Sequence, residues 1–294
     1  MKTHTAIFSA ILAAALYALN APLSKLLLSD VPPMMMASFL YLGAGAGMLL
    51  LGLLRRAAGK PSGEQRLSRR DLPYTLGMIV LDIAAPILLM LGIRLTSAEN
   101  ASLLNNFEIV ATSLIALFIF KERISRRLWL AIGLIVLSSA LLTVESGNAE
   151  VSLSLGSVFV LLACCCWGME NNCTRMLSQS DPQEIVIVKG LGSGAGALLV
   201  ALLSGERFPT LHFVPAALLL GFVAYGLSIY FYVWAQRYLG AARTSAYYAV
   251  APFIGVLLSL VIFRQWPGWL FFLALGIMIA ATVLVTRDGS EGEG

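Results

Sequence analysis

Three carboxylates, Asp82, Glu108 and Glu170, stand inside long apolar runs, where an ionised group is costly unless it faces a cavity or a partner. Each is therefore expected to be protonated or neutralised by a cation, and to mark a path for a solute or a proton. Glu108 lies 11 residues into its run, about 16 Å deep at ~1.5 Å per residue. Lys189 and Arg175 are expected near the cytoplasmic ends of their own runs, so neither is expected at the depth of the carboxylates.

Positions three and four apart share a helix face, and this spacing sorts the neighbours into polar sectors. Ser102, Asn105, Asn106, Glu108, Thr112 and Ser113 form one; Trp167, Glu170, Asn171 and Thr174 form a second. Tyr17, Asn20 and Ser24 follow the same rule, as do Tyr225, Ser228, Tyr232 and Gln236, and then Ser245, Tyr248 and Pro252. Aromatic walls with a few convergent amides and carboxylates suit a small amphiphilic solute, amino-acid-like or cationic. Glu108 is the candidate for exchanging a proton. Asn, Ser and Thr also bond helices to one another in membrane bundles, so the amides alone do not define a site.

Enzyme chemistry has little to rest on. The sequence holds neither HExxH nor GxSxG, and its two histidines, His4 and His212, lie near the ends of apolar runs. No catalytic residue, cofactor or metal is expected, and an intramembrane enzyme and a non-transporting scaffold are the readings of another class. No ATP-binding motif occurs, so uphill movement would draw on an ion gradient, with an uncoupled facilitator as the alternative.

The elements that must hold these residues are membrane helices. Of 294 residues, 59% are hydrophobic and 12% charged, against about 25% charged in soluble domains. Apolar runs between polar breaks predict ten spans near 6–28, 34–54, 72–94, 97–120, 126–144, 155–177, 184–204, 213–236, 241–263 and 267–286. The first is too long for a signal-peptide core. Basic residues resist translocation, and with an inner N-terminus the outer connectors hold only Lys25, Arg94, Arg207 and Arg264 of the 20 Lys and Arg. Both termini are thus expected in the cytoplasm. The basic residues are scattered over connectors, which argues against a nucleic-acid surface, and the partners expected are the lipid bilayer, a small-molecule substrate and protons.

The chain also repeats itself. At an offset of 150, Leu12, Ala13, Leu27 and Pro32 meet Leu162, Ala163, Leu177 and Pro182. At 149, Gly43, Gly45 and Gly47 meet Gly192, Gly194 and Gly196; at 143, Arg94, Ala98, Ser102, Ala131 and Gly133 meet Arg237, Ala241, Ser245, Ala274 and Gly276. Two five-span copies, 1–148 and 149–294, follow. Because five is odd, the second copy enters from the opposite side, which gives an all-α polytopic membrane protein of ten transmembrane helices in two inverted five-helix repeats.

The segments TSAENASLLNNFEIVATSLIALFIFKERIS (96–125) and GAARTSAYYAVAPFIGVLLSLVIFRQ (240–265) resemble the EamA-type repeats of the drug/metabolite transporter superfamily. The family pattern of small residues opening the fourth span, a mid-span proline and a closing Glu is matched by Ala98, Ala101 and Glu122, and by Ala241, Ala242 and Pro252. It is departed from at Glu108 and Ile109, where a proline is expected, and at Gln265, where the closing Glu is. The resemblance implies ten helices and transport of small metabolites, with the cargo open. In this reading the chain is a secondary transporter of a bacterial cytoplasmic (inner) membrane, working by alternating access as a proton-coupled exporter.

The remaining motifs read as packing. KGLGSGAGA (189–197) lacks the Lys-Ser or Lys-Thr of a phosphate loop and is mirrored by GAGAG (43–47), so Gly43, Gly45, Gly47, Gly192, Gly194 and Gly196 are expected to let helices approach closely. Pro22, Pro86 and Pro252 are expected to interrupt spans. Cys164, Cys165, Cys166 and Cys173 are expected to be apolar fillers.

Overall fold

A computed structural model describes residues 2–59, 64–120, 125–147, 150–177 and 179–291. Helices α1 (Lys2–Ala18), α2 (Asn20–Leu27), α3 (Pro33–Ala57), α4 (Leu72–Leu95), α5 (Ala98–Leu104), α6 (Phe107–Phe120) and α7 (Arg126–Thr143) come first. A short antiparallel hairpin, Val144–Gly147 with Glu150–Leu153, separates them from the second set. That set comprises α8 (Leu155–Leu177), α9 (Pro182–Leu203), α10 (Val214–Gly221), α11 (Ser228–Tyr248), α12 (Ala251–Phe263) and α13 (Trp269–Glu291). A π-helical turn, Phe222–Leu227, joins α10 to α11.

Among the described residues, six stretches are long and apolar enough to cross a membrane: His4–Leu27, Pro33–Ala57, Arg69–Leu95, Ala98–Ile119, Pro182–Leu203 and Val214–Ala235. Shorter apolar helices cover Trp129–Leu142, Ala251–Phe263 and Trp269–Leu284. Large apolar side chains such as Phe8, Leu50, Val80, Leu203 and Trp269 are exposed on the outside of the bundle, as a lipid-facing surface requires. The chain is an all-α polytopic membrane protein.

Two prolines set where helices break. Proline lacks an N–H and its ring collides with the carbonyl four residues earlier, here Ala18 for Pro22 and Tyr248 for Pro252. Helix α1 ends at Ala18 and α11 at Tyr248. Pro86 differs from expectation, because α4 runs through it without a break. The fourth span is interrupted without a proline. Asn105 and Asn106 form the turn between α5 and α6, and the amides of Asn106, Glu108 and Ile109 bond carbonyls only three residues back. Asparagine favours such a turn because its side chain competes with the helical backbone bonds.

The eighth and ninth spans also depart from the expected boundaries. No connector opens between 236 and 241; α11 continues to Tyr248, and the break falls at Ala249 and Val250. The intervening Gly240–Ala242 holds no proline, and alanine is the strongest helix former.

The most extensive contacts pair α4 with α8, α3 with α9, α1 with α11 and α7 with α13, and α5 also packs against α12. The helix ends are fixed by polar groups. Glu206, in the turn after α9, accepts from the amides of Met34 and Met35 (3.1 and 2.8 Å) and caps α3. Lys25 donates to the carbonyls of Ile93 (2.6 Å) and Arg94 (3.2 Å) and so covers the C-terminus of α4. Asp181 caps α9, accepting from Gln183 N at 2.8 Å, with Pro182 in the first turn.

Candidate substrate and proton site

The three carboxylates fall into two groups separated by α8. On one side Lys189 Nζ stands 3.0 Å from Asp82 Oδ2 and 2.9 Å from Glu170 Oε1. This corrects the expectation that Lys189 lies below the carboxylates. Glu170 is seven residues before the end of α8 at Leu177, and Lys189 seven residues after the start of α9 at Pro182. Seven residues of helix put each side chain about 10 Å in from the facing ends of α8 and α9, and α4, which carries Asp82, packs against both helices. Asp82, Glu170 and Lys189 are 0%, 2% and 5% exposed.

Further donors meet Asp82 Oδ1 and Glu170 Oε1, while Asp82 Oδ2 has only its ion pair with Lys189 among the described residues. Asp82 Oδ1 accepts from Tyr41 Oη at 2.7 Å and from the indole Nε1 of Trp167 at 3.2 Å. Glu170 Oε1 accepts from the Thr174 hydroxyl one turn along α8. Such donors offset part of the cost of burying the charges. Sequence reasoning missed Tyr41, which sits on α3 with no charge to flag it, and it missed the role of Lys189, for which the equal distances from the facing ends of α8 and α9 were the available signal.

On the other side of α8, Asn171 Nδ2 donates to Glu108 Oε1 at 2.5 Å and to Thr112 Oγ1 at 3.3 Å. Consecutive residues on a helix point about 100° apart, so Glu170 faces α9 and α4 while Asn171 faces α6. Glu108 is half-buried, and among the described residues its bonded partner is an amide rather than a cation.

The aromatic residues expected along the pathway meet in one cluster. Tyr225 lies 5.8 Å from Tyr17 and 5.1 Å from Tyr41 between ring centroids; Tyr248 lies 5.8 Å from Tyr17 and 4.9 Å from Tyr232. Asn20 Nδ2 donates to the Tyr225 hydroxyl at 3.1 Å, and Ser24 donates to Asn20 Oδ1 at 3.0 Å. Ser228 donates to the carbonyl of Ala13 at 2.8 Å, which ties α11 to α1.

Asn105 lines a small cavity with Tyr17, Asn20, Ser102, Pro252 and Gly255, where α5 crosses α12. The enclosed space is about 10 Å³, the size of one water. Ser102 Oγ, Asn105 Oδ1 and Asn106 Nδ2 are buried there and at the α5–α6 turn without a hydrogen-bond partner among the described residues. The side chains of Gln236 and Ser245 lie outside the described residues.

The glycine seam has a more specific form than the sequence suggested. A β-carbon on Gly45 would fall 2.6 Å from Leu191 N, and one on Gly190 would fall 2.4 Å from Gly45 N, so α3 and α9 touch backbone to backbone. Gly194 faces Leu42 across the same contact. Gly43 and Gly47 instead face Leu218 and Phe222, and Gly192 and Gly196 face Ile79 and Ile83 of α4. Cys164 is a buried filler whose thiol donates to the carbonyl of Leu104 at 3.7 Å, and no metal-holding group of three His, Cys, Asp or Glu occurs among the described residues.

Comparison with known proteins agrees with this architecture. The model of the EamA-like transporter family matches residues 4–144 and again 154–287. An uncharacterised transporter of Methanothermobacter thermautotrophicus is 26% identical over 273 residues, covering 87% of this chain and 79% of its own length. The uncharacterised inner membrane transporter YedA of Escherichia coli K12 is 22% identical over 264 residues, covering 87% and 82%. The uncharacterised transporter YyaM of Bacillus subtilis is 22% identical over 226 residues, covering 74% and 73%. One crystal structure aligns with a TM-score of 0.69 at 18% identity, over 99% of both chains, a likeness of fold alone.

Proposed function

Since the chain belongs to the EamA-like transporter family and is a membrane transporter of small molecules, we propose that it is a proton-coupled exporter working by alternating access in a bacterial cytoplasmic membrane. Ten spans form two inverted five-helix repeats, 1–148 and 149–294, with both termini in the cytoplasm. The helix pairing supports this reading. A two-fold exchange of first with sixth span, second with seventh, third with eighth, fourth with ninth and fifth with tenth maps the α4–α8 contact onto α1–α11, and maps α3–α9, α5–α12 and α7–α13 onto themselves. Two separate matches to one family model, 4–144 and 154–287, support it as well.

The observation that carries the functional reading is Glu108, a half-buried carboxylate between α6 and α8 whose bonded partner is an amide. It is free to take a proton or a cationic group of the solute in competition, which is the requirement for exchange of one against the other. The tyrosines Tyr17, Tyr225, Tyr232 and Tyr248, with Asn20, Asn105, Asn106 and Asn171, supply aromatic faces and amides for a small amphiphilic or zwitterionic solute. Asp82, Trp167 and Glu170 complete the polar interior. The six seam glycines let the helices pack closely as the repeats rock.

Glu108→Gln in proteoliposomes tests the assignment. Solute exchange is retained while the response to an imposed pH gradient is lost. Unchanged proton dependence in this variant removes Glu108 from the role.

A further inference from the structure

Charge counting around Lys189 leads further. Two carboxylates share one ammonium in a site whose members are at most 5% exposed. Asp82 comes from the first family-matched segment, and Glu170 and Lys189 from the second. A buried group of net charge −1 is costly, and one proton makes it neutral. We infer that the Asp82–Lys189–Glu170 triad is a second proton-binding site, distinct from Glu108, that holds one proton between its two carboxylates where the two segments pack together.

Both carboxylates can share that proton. Asp82 Oδ1 accepts from the Trp167 indole and the Tyr41 hydroxyl, while Asp82 Oδ2 meets the Lys189 ammonium. Glu170 Oε1 accepts from both the Thr174 hydroxyl and Lys189. With one proton in place, Lys189 and the remaining carboxylate form a balanced pair. The titratable neighbours facing the triad are Tyr41 from α3, Glu108 from α6, Cys166 and Cys173 from α8, and Tyr225 from the π-helical turn. None is a cation that could replace Lys189.

This inference stands apart from the proposed coupling, and its test needs no solute. The probe is the proton itself, read as the protonated-carboxyl C=O band in pH-difference infrared spectra of the purified full chain in lipid nanodiscs. Glu170→Gln and Asp82→Asn each leave one carboxylate opposite one ammonium, so each variant keeps a balanced pair and is expected to fold. Both lose one protonated-carboxyl equivalent relative to wild type across the neutral range, and Glu108→Gln keeps that equivalent. Two results overturn the inference: retention of the equivalent in both triad variants, or its loss in Glu108→Gln with retention in Glu170→Gln. Solute-driven proton flux in wild-type proteoliposomes is scored separately. Flux with a silent triad removes this site and leaves coupling at Glu108 standing, whereas a triad signal that persists without any flux removes the transport reading and leaves the proton site in place.

Discussion

Gly190→Ala is the smallest change that tests how the two segments meet. The added methyl carbon would fall 2.4 Å from Gly45 N, 2.6 Å from Gly45 Cα and 2.7 Å from the carbonyl oxygen of Tyr41. All three are backbone atoms, so no side chain can rotate away. Carbon contacts settle near about 3.5–4.0 Å, so α3 and α9 must separate by roughly 1 Å along their contact. Both helices are long, Pro33–Ala57 and Pro182–Leu203, and the shift disturbs Tyr41 and hence its bond to Asp82. Overpacking of this kind costs about 1–3 kcal/mol, or roughly five- to 150-fold in the folded population. Gly133→Ala and Gly276→Ala are internal controls: both glycines lie in helices, and a β-carbon at either meets no atom within 4 Å. They are expected to be neutral or stabilising by about 0.5–1 kcal/mol. Thermal midpoints of the three variants, purified in one detergent, give the comparison. If Gly190→Ala melts with the controls, the backbone contact between α3 and α9 is refuted.

Three further outcomes follow from the same geometry. Lys189→Met leaves Asp82 and Glu170 without their cation and destabilises the fold by about 3–5 kcal/mol, and adding Asp82→Asn and Glu170→Gln to it restores most of that loss in the same thermal assay. Tyr225→Phe removes the oxygen that accepts from Asn20, leaving a buried amide unpaired at a cost of about 1–3 kcal/mol. Glu206→Ala uncaps two amides of α3 and costs about 0.5–2 kcal/mol, seen as faster hydrogen exchange confined to the start of that helix.

Much of the architecture was legible because bilayer thickness and hydropathy act on long windows. The long apolar runs emerged as helices, and Pro22 and Pro252 marked real breaks because the clash they impose is local. Pro86 shows the limit of that rule, since packing along α4 holds the helix together across it. The end of α11 was misplaced because Gly240 and Arg243 resemble a connector in composition while the intervening alanines favour continued helix. At the site, the spacing grouped Trp167, Glu170, Asn171 and Thr174 on one face of α8, whereas the structure splits them: Trp167, Glu170 and Thr174 lie toward the triad, and Asn171 toward Glu108. The level of Lys189 was misjudged as well, because depth was judged from its own helix end alone, although Glu170 lies equally far from the end of α8. Tyr41 carried no signal, as a tyrosine in an apolar run is ordinarily packing.

The central claim is that this interior couples a solute to a proton. Proteoliposomes carrying an internal pH dye, exposed in turn to amino acids, nucleosides, sugars and organic cations, test it most directly. The account predicts that one amphiphilic or cationic class triggers proton movement in the wild type and that Glu108→Gln abolishes it while radiolabelled exchange of that solute persists. Exchange of a radiolabelled solute with no accompanying proton movement in the wild type would contradict the account and make the protein an uncoupled facilitator.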